Sequence, residues 1–193
     1  MIILTLTIFP IFVGLFNLIF IKSKKISNYI SLILSIICFT FSFYFFRKDF
    51  NLIIPFINDF NLYFKSNHLA NFIMIFVNFF VFLVSIYSLS SDLNIKFFGF
   101  LPILLGFSNM VLLSYDFLSL IFSWGTLLVV LYLSLGICDY KIANKSFFIL
   151  GFADFLLILG IFFYYTLTGS LIMNGKVALN NLLAYISFVC MVI

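Results

Sequence analysis

The chain has 193 residues, of which 65% are hydrophobic and only 8% are charged, and its net charge is +4. It contains no glutamate, so all of its acidic residues are aspartates. A soluble domain needs about a quarter of its residues charged to form a hydrated surface. This composition excludes a water-soluble fold and predicts that lipid is the solvent for most of the chain.

Long apolar segments follow one another from the N-terminus onward. A membrane-spanning helix needs about 20 mostly apolar residues, and six segments meet this requirement: residues 2–21, 27–46, 69–89, 97–114, 117–137 and 146–165. A seventh begins near Val177. A β-barrel is disfavoured because its strands alternate apolar and polar residues. We therefore predict one all-α membrane domain over residues 1–193, a polytopic helix bundle with six full spans and the start of a seventh.

Basic residues in the loops indicate the orientation. The loops after the first, third and fifth spans carry six lysines, and those after the second, fourth and sixth carry four basic residues. Because basic residues are enriched in cytoplasmic loops, the odd-numbered loops are predicted to be cytoplasmic and the N-terminus to lie outside. The longest loop, residues 47–68, would then face outward. Its alternating stretch 60–65 predicts a short β-hairpin beside the membrane.

Residue types that build redox and metal sites are sparse. The three cysteines, at positions 38, 138 and 190, form no Cys-x-x-Cys pair, and His68 is the only histidine. This spacing indicates that the cysteines are apolar packing residues and that the histidine lies at the membrane interface. It does not indicate an iron–sulfur, zinc or haem site. No Gly-rich phosphate loop or dinucleotide fingerprint is present. The sequence therefore predicts no catalytic site, cofactor or metal of its own, and no nucleic-acid partner.

Three ionisable side chains are candidates for a proton relay, and each also has a structural interpretation. Asp154 lies about halfway along the sixth span, where a carboxylate costs roughly 2.5–3.5 kcal/mol on insertion scales. It either moves protons or hydrogen-bonds between helices for packing. Asp116 precedes the fifth span, where aspartate is also a favourable helix N-cap. Lys145 stands at the start of the sixth span, where a lysine snorkels to the interface.

Several stretches resemble a known family. Residues 60–70 lead into the third span like a short extramembrane strand, and residues 115–124 open the fifth span with an acidic residue and reach Trp124. Residues 143–154 open the sixth span with a basic residue and reach an aspartate, before a Thr-Gly exit at 166–171. In order and spacing, these stretches resemble the antiporter-like subunits of respiratory complex I, of membrane-bound hydrogenases and of multisubunit sodium/proton antiporters.

The resemblance implies the N-terminal portion of such a subunit. In the family a glutamate usually follows the fifth-helix tryptophan, whereas this chain has Gly125. The family also has a proton-carrying lysine in a broken seventh helix, which would lie beyond Ile193, so we expect an apparently truncated member. The implied function is a membrane subunit of a redox-driven proton-translocating complex, of the NADH-quinone oxidoreductase or hydrogenase type, that contributes part of a proton channel. The implied partners are lipid and the other membrane subunits of that respiratory complex.

Two other functions stay open at this point. A transport-inactive structural or assembly membrane protein would also lack the glutamate and the lysine. Related subunits also serve as membrane partners in inorganic-carbon uptake systems. For each function we expect a multi-pass protein of the inner (plasma) membrane, rather than of the mitochondrial inner membrane.

Overall fold

The computed structural model describes residues 4–46, 48, 50–57, 60–90, 93–173 and 182–192. Within them the chain is mostly helical, with one two-stranded sheet. In chain order the elements are a π-helical turn Leu4–Ile8, α1 Phe9–Phe20, α2 Lys24–Phe45, β1 Asn51–Ile57, β2 Phe60–Lys65, α3 His68–Ser88, α4 Ile95–Leu113, α5 Phe117–Gly136, α6 Tyr140–Thr168 and α7 Leu182–Val192. The predicted helical fold class is confirmed.

Five helices, α2 to α6, are long and apolar enough to cross a membrane. The first helical stretch, Thr5–Phe20, and α7 are apolar but shorter, and Val177 lies outside the described residues. We predicted six full spans and the start of a seventh. Five spans are confirmed, and the others are not. Five successive apolar helices of this length make the chain a multi-pass membrane protein.

The sixth predicted span differs most from its helix. The apolar pattern predicted a span over residues 146–165, but α6 has 29 residues and is about 44 Å long, well beyond the roughly 30 Å hydrocarbon core. The Asp139 carboxylate accepts a hydrogen bond from the Lys141 backbone N–H at 2.8 Å and caps the start of the helix. Gly169, at a φ of 67°, ends it. Lys145 therefore lies inside the helix, more than one turn from its start.

The extramembrane segments after α2, α4 and α6 meet at one end of the bundle, which we call the hairpin end. Strands β1 and β2 pair antiparallel with Asn51 opposite Lys65, so the predicted hairpin is confirmed. The Tyr115 backbone N–H donates to the Tyr63 carbonyl at 2.9 Å, and the Phe117 N–H donates to the Leu171 carbonyl at 3.0 Å. Helices that cross a membrane one after another place every second connecting segment on the same side. The contacts between these three segments agree with that arrangement.

Helices α1 and α4 approach closely because glycines line their contact. Gly99 and Gly106 are seven residues apart on α4 and therefore lie on one face. A Cβ at Gly106 would lie 2.6 Å from the Thr7 carbonyl oxygen, and a Cβ at Gly14 would lie 2.7 Å from the Gly99 carbonyl oxygen. Small residues of this kind bring membrane helices together through backbone contact.

Helices α2 and α3 each bury a stripe of small polar residues with a spacing of seven. The spacing keeps each set on one face of its helix. The Ser85 hydroxyl donates to the Val81 carbonyl of its own helix at 2.9 Å, so its polarity is satisfied without a charge. The two stripes give the bundle a neutral, closely packed interior. Their members are Asn28, Ser35 and Ser42 on α2, and Asn71, Asn78 and Ser85 on α3, all of them buried.

Candidate functional site

Helices α5 and α6 are joined by a hydrogen bond between a tryptophan and an aspartate. The Trp124 indole Nε1–H donates a hydrogen bond of 2.7 Å to the Asp154 carboxylate. Asp154 is half-buried and stands near the middle of α6. Trp124 therefore orients that carboxylate. The indole is a donor only and carries no charge, so it fixes one oxygen without neutralising the group.

Two glycines lie close in sequence to this pair, Gly125 directly after Trp124 and Gly151 three residues before Asp154. A Cβ at Gly125 or at Gly151 would meet nothing in the described chain within 4 Å beyond the glycine's own stretch of helix. Only 11% of the apolar window of α6 is buried, against 44% of that of α4. Glycines on an uncovered face allow another helix to approach closely. Gly125, where the family resemblance expects a glutamate, therefore directly follows Trp124, and an added Cβ there would touch no other part of the described chain.

Asp116 caps α5 and ties the hairpin to it. Its side chain is 3% exposed. The carboxylate accepts hydrogen bonds from the Ser119 backbone N–H at 3.2 Å and from the Tyr63 backbone N–H of β2 at 3.0 Å, and also from the Ser119 hydroxyl. The N-cap interpretation of this residue is confirmed.

Lys145 lies apart from both aspartates. Its side chain is exposed, and it precedes Asp154 by nine residues, or about 13.5 Å of helix. Next to it, Asn144 accepts a hydrogen bond of 2.9 Å from the Tyr132 hydroxyl of α5. Asp116 precedes Trp124 by eight residues, about 12 Å along α5. Of the three candidates predicted from the sequence, Asp116 and Lys145 lie at opposite ends of the α5–α6 pair and Asp154 lies near its middle. The fold does not bring them together.

A set of buried asparagines was not predicted as functional from the sequence. Asparagine is not ionisable, and only ionisable residues within the spans were taken as candidates. Asn109 of α4 is fully buried and donates to the Leu6 carbonyl, in the π-helical turn, at 2.9 Å. Its amide also pairs with that of Asn78 of α3 at 3.4 Å. Irregular π turns of this kind free backbone carbonyls from the regular helical ladder. The amides therefore link three elements deep inside the bundle without any charge.

A second amide site follows from Pro102 inside α4. Proline has no backbone N–H and leaves the carbonyl four residues earlier without its helical donor. That carbonyl belongs to Phe98, and it accepts a hydrogen bond of 3.4 Å from Asn17 of α1. Asn17 also accepts from the Ser27 hydroxyl of α2 at 2.7 Å. Polar side chains thus satisfy a break in the backbone ladder and join α1, α2 and α4.

Comparisons with known proteins identify the fold. No family model matches the sequence, and no curated protein matches it. Among solved structures, a chain of respiratory complex I from Thermus thermophilus with bound NADH superposes with a TM-score of 0.80 at 14% identity, over 98% of this chain and 42% of that chain. The same complex with bound aureothin gives 0.78 at 13% identity, over 100% and 42%. An archaeal membrane-bound sulfane sulfur reductase, a respiratory membrane complex, gives 0.74 at 16% identity, over 89% and 28%.

These likenesses confirm the predicted resemblance at the level of fold. The chain has the helix arrangement found in membrane-bound respiratory complexes, including complex I. It spans less than half the length of each of the chains to which it was compared. The fold therefore places Trp124 and Asp154 inside a complex I-like membrane architecture.

Proposed function

We propose that this chain is part of a proton-translocating membrane subunit of a redox-driven complex, of the NADH-quinone oxidoreductase or hydrogenase type. The observation that carries the proposal is the Asp154 carboxylate, held by the Trp124 indole near the middle of a long membrane helix in a complex I-like fold. Ionisable residues at such depth mark proton and ion pathways. The chain would contribute part of a proton channel, and the redox chemistry would belong to other subunits.

The geometry suits a group that exchanges protons with a neighbour. Trp124 fixes one oxygen of Asp154 and brings no positive charge to it. In this proposal the second oxygen contacts water or a cation. A helix that packs at Gly125 and Gly151, where an added Cβ would meet nothing within 4 Å in the described chain, would bring that cation. In this proposal Asp154 and the incoming helix form the middle of the path.

Asp116 and Lys145 are proposed as the two ends of that path. The gaps of about 12 Å and about 13.5 Å along the helices exceed direct hydrogen-bond reach. Ordered water, or side chains of the incoming helix, would have to bridge them. The partners that supply the helix are other membrane subunits, as expected for a chain whose structural neighbours are multi-subunit respiratory complexes.

One observation favours the alternative of a transport-inactive structural subunit. The described interiors of α1 to α4 are joined by neutral amides and hydroxyls, such as Asn78 and Asn109, and Gly125 stands where the family resemblance expects an acid. Such a chain would scaffold the assembly without carrying protons. The two functions differ in the role of Asp154, which carries protons only in the first.

Membership of a redox complex is tested by purification from the native membrane. An affinity-tagged chain, extracted in a mild detergent, is expected to co-elute with subunits that contain iron–sulfur or nickel–iron centres. Electron paramagnetic resonance of the reduced eluate measures these centres per copy of the chain. A monodisperse complex with other membrane proteins but without any redox centre would contradict the proposal and favour the carbon-uptake alternative.

We also propose six crossings with the N-terminus outside, the first made by the helical stretch that includes α1. The charge split between the loops and the meeting of the segments after α2, α4 and α6 at one end support this orientation. Single cysteines at Lys24 and Asn51, in a background without Cys38, Cys138 and Cys190, are expected to label from opposite sides with a membrane-impermeant maleimide. Labelling of the Asn51 position from the cytoplasm alone would refute the orientation.

A further inference from the structure

We propose that the surface between α2 and α3 at the hairpin end binds one anionic phospholipid. An acyl chain would occupy an aromatic cleft between the helices, and the phosphate would contact the basic residues next to the mouth of that cleft. This site is separate from the α5–α6 pair and goes beyond the proposed function.

The aromatic cleft has a volume of about 440 Å³, and all of its lining side chains are apolar. Three phenylalanines come from each side: Phe39 and Phe43 of α2 with Phe46 directly after it, and Phe72, Phe76 and Phe79 of α3. The cleft therefore runs from the hairpin end toward the middle of two helices that are long enough to span the membrane. This is the depth that a phospholipid acyl chain occupies.

A second recess, with both polar and apolar lining, lies beside the start of α3. It has a volume of about 450 Å³, and Lys65 and His68 contribute to its lining. His68 lies four residues before Phe72, so the two side chains are neighbours on one face of α3. The Asn71 amide donates to the Phe46 carbonyl at 3.4 Å, which joins the end of α2 to the first turn of α3. The aromatic cleft and this recess therefore border neighbouring residues at the start of α3.

Two lysine side chains lie at the hairpin end, each beside an aromatic ring. The Lys48 ammonium, two residues beyond Phe46, donates to the Tyr44 hydroxyl at 3.1 Å and lies 4.2 Å from the centre of that ring. The Lys65 ammonium lies 4.9 Å from the centre of the Tyr115 ring. By sequence, residues 47–68 contain three basic residues and two aspartates. Aromatic rings thus hold both ammonium groups at the hairpin end, and Lys65 also lines the second recess.

The first turn of α3 adds backbone donors to the same recess. Asn67 is the N-cap residue and makes no side-chain capping bond, so it does not satisfy the free N–H groups of the first turn. A helix N-terminus carries a partial positive charge and favours phosphate oxygens. These donors, the His68 imidazole and the two lysines together complement a phosphate group.

The chemistry of the cleft favours a lipid over a helix of a partner subunit. Helices associate in membranes through small residues and polar contacts, because burying apolar surface gains nothing there. The α5–α6 surface has such residues, whereas the aromatic cleft presents bulky rings and no polar side chain. The lysines distinguish between headgroups, since basic residues at the membrane surface attract anionic lipids.

The test titrates the delipidated, detergent-solubilised full chain with phosphatidylglycerol or with phosphatidylcholine of identical acyl chains. Native mass spectrometry counts the bound lipids. The first phosphatidylglycerol is expected to bind about tenfold more tightly than the first phosphatidylcholine. Lys48→Gln and Lys65→Gln are each expected to weaken phosphatidylglycerol binding about fivefold and to leave phosphatidylcholine binding unchanged. Ile75→Trp, which fills the cleft, is expected to weaken the binding of both lipids.

The matched control is Lys141→Gln, which removes an exposed lysine at the other end of the bundle and is expected to bind both lipids like the wild type. Equal affinities for the two lipids would overturn the proposal. A Lys48→Gln/Lys65→Gln double variant that keeps the wild-type preference would also overturn it. Both outcomes are interpretable because these substitutions alter side chains at the membrane boundary and leave the interior intact.

Discussion

The substitution Asp116→Ala is expected to destabilise the fold by about 3–5 kcal/mol. The carboxylate is 3% exposed and accepts hydrogen bonds from the backbone N–H groups of Ser119 and Tyr63. Removing it loses the N-cap of α5 and leaves two buried donors unpaired, each at a cost of about 1–3 kcal/mol. The hairpin would also lose one of its attachments to α5. Thermal unfolding in detergent, followed by circular dichroism, measures the effect.

Asp139→Ala is the matched control for this substitution. Asp139 is also an N-cap aspartate, but it is exposed and accepts from one backbone N–H, that of Lys141. Its loss is expected to cost only about 1 kcal/mol. If the two variants unfolded at the same temperature, the structural role assigned to Asp116 would be wrong.

Gly106→Ala is the second substitution with a large expected effect, a loss of about 1–3 kcal/mol. The added Cβ would lie 2.6 Å from the Thr7 backbone carbonyl oxygen and 2.5 Å from the Ile11 side chain. The carbonyl cannot move aside without shifting the chain that leads into α1, so α1 and α4 must separate. Thermal unfolding of the purified variant reports this separation.

Gly125→Ala is the control for the α1–α4 contact. Its added methyl group would meet nothing in the described chain beyond its own helix, and alanine is favoured over glycine in a helix by up to about 1 kcal/mol. We expect equal or slightly raised stability. A Gly106→Ala variant as stable as Gly125→Ala would show that the α1–α4 contact is looser than the structure indicates.

The sequence was sufficient for the fold class because membrane insertion depends mainly on apolar length. The segments of α2 to α5 could be placed within three residues, and the alternating stretch at 60–65 located the hairpin. The start of α6 was misplaced because Tyr140–Lys145 includes polar and charged residues that an apolar window excludes. The cap formed by Asp139 extends the helix through them.

The candidate site was only partly predictable, for a different reason. Asp154 stands out in sequence because a carboxylate in an apolar span is rare. Its bond to Trp124 joins residues 30 positions apart, and no local pattern pairs them. The buried polar stripes are visible in the sequence as a spacing of seven residues between Asn71, Asn78 and Ser85. A prediction based on ionisable residues alone does not use that spacing.

The most direct test of the proton path is redox-driven proton translocation by the intact assembly with Asp154→Asn. Asparagine keeps an oxygen that accepts the Trp124 hydrogen bond, so the packing of α5 on α6 is preserved while the titratable proton is removed. Membrane vesicles from cells with the wild-type or variant chain are supplied with an electron donor. A pH-sensitive dye records proton uptake, and donor oxidation is followed in parallel.

We predict that Asp154→Asn lowers the number of protons moved per electron at least about tenfold, while Asp139→Asn, at an exposed capping position, leaves it unchanged. Assembly of the complex, measured by the amount of chain that co-purifies with its redox subunits, should be equal in the two variants. A wild-type ratio of protons to electrons in fully assembled Asp154→Asn vesicles would contradict the account. That result would make the chain a structural subunit whose deep carboxylate serves only to join two helices.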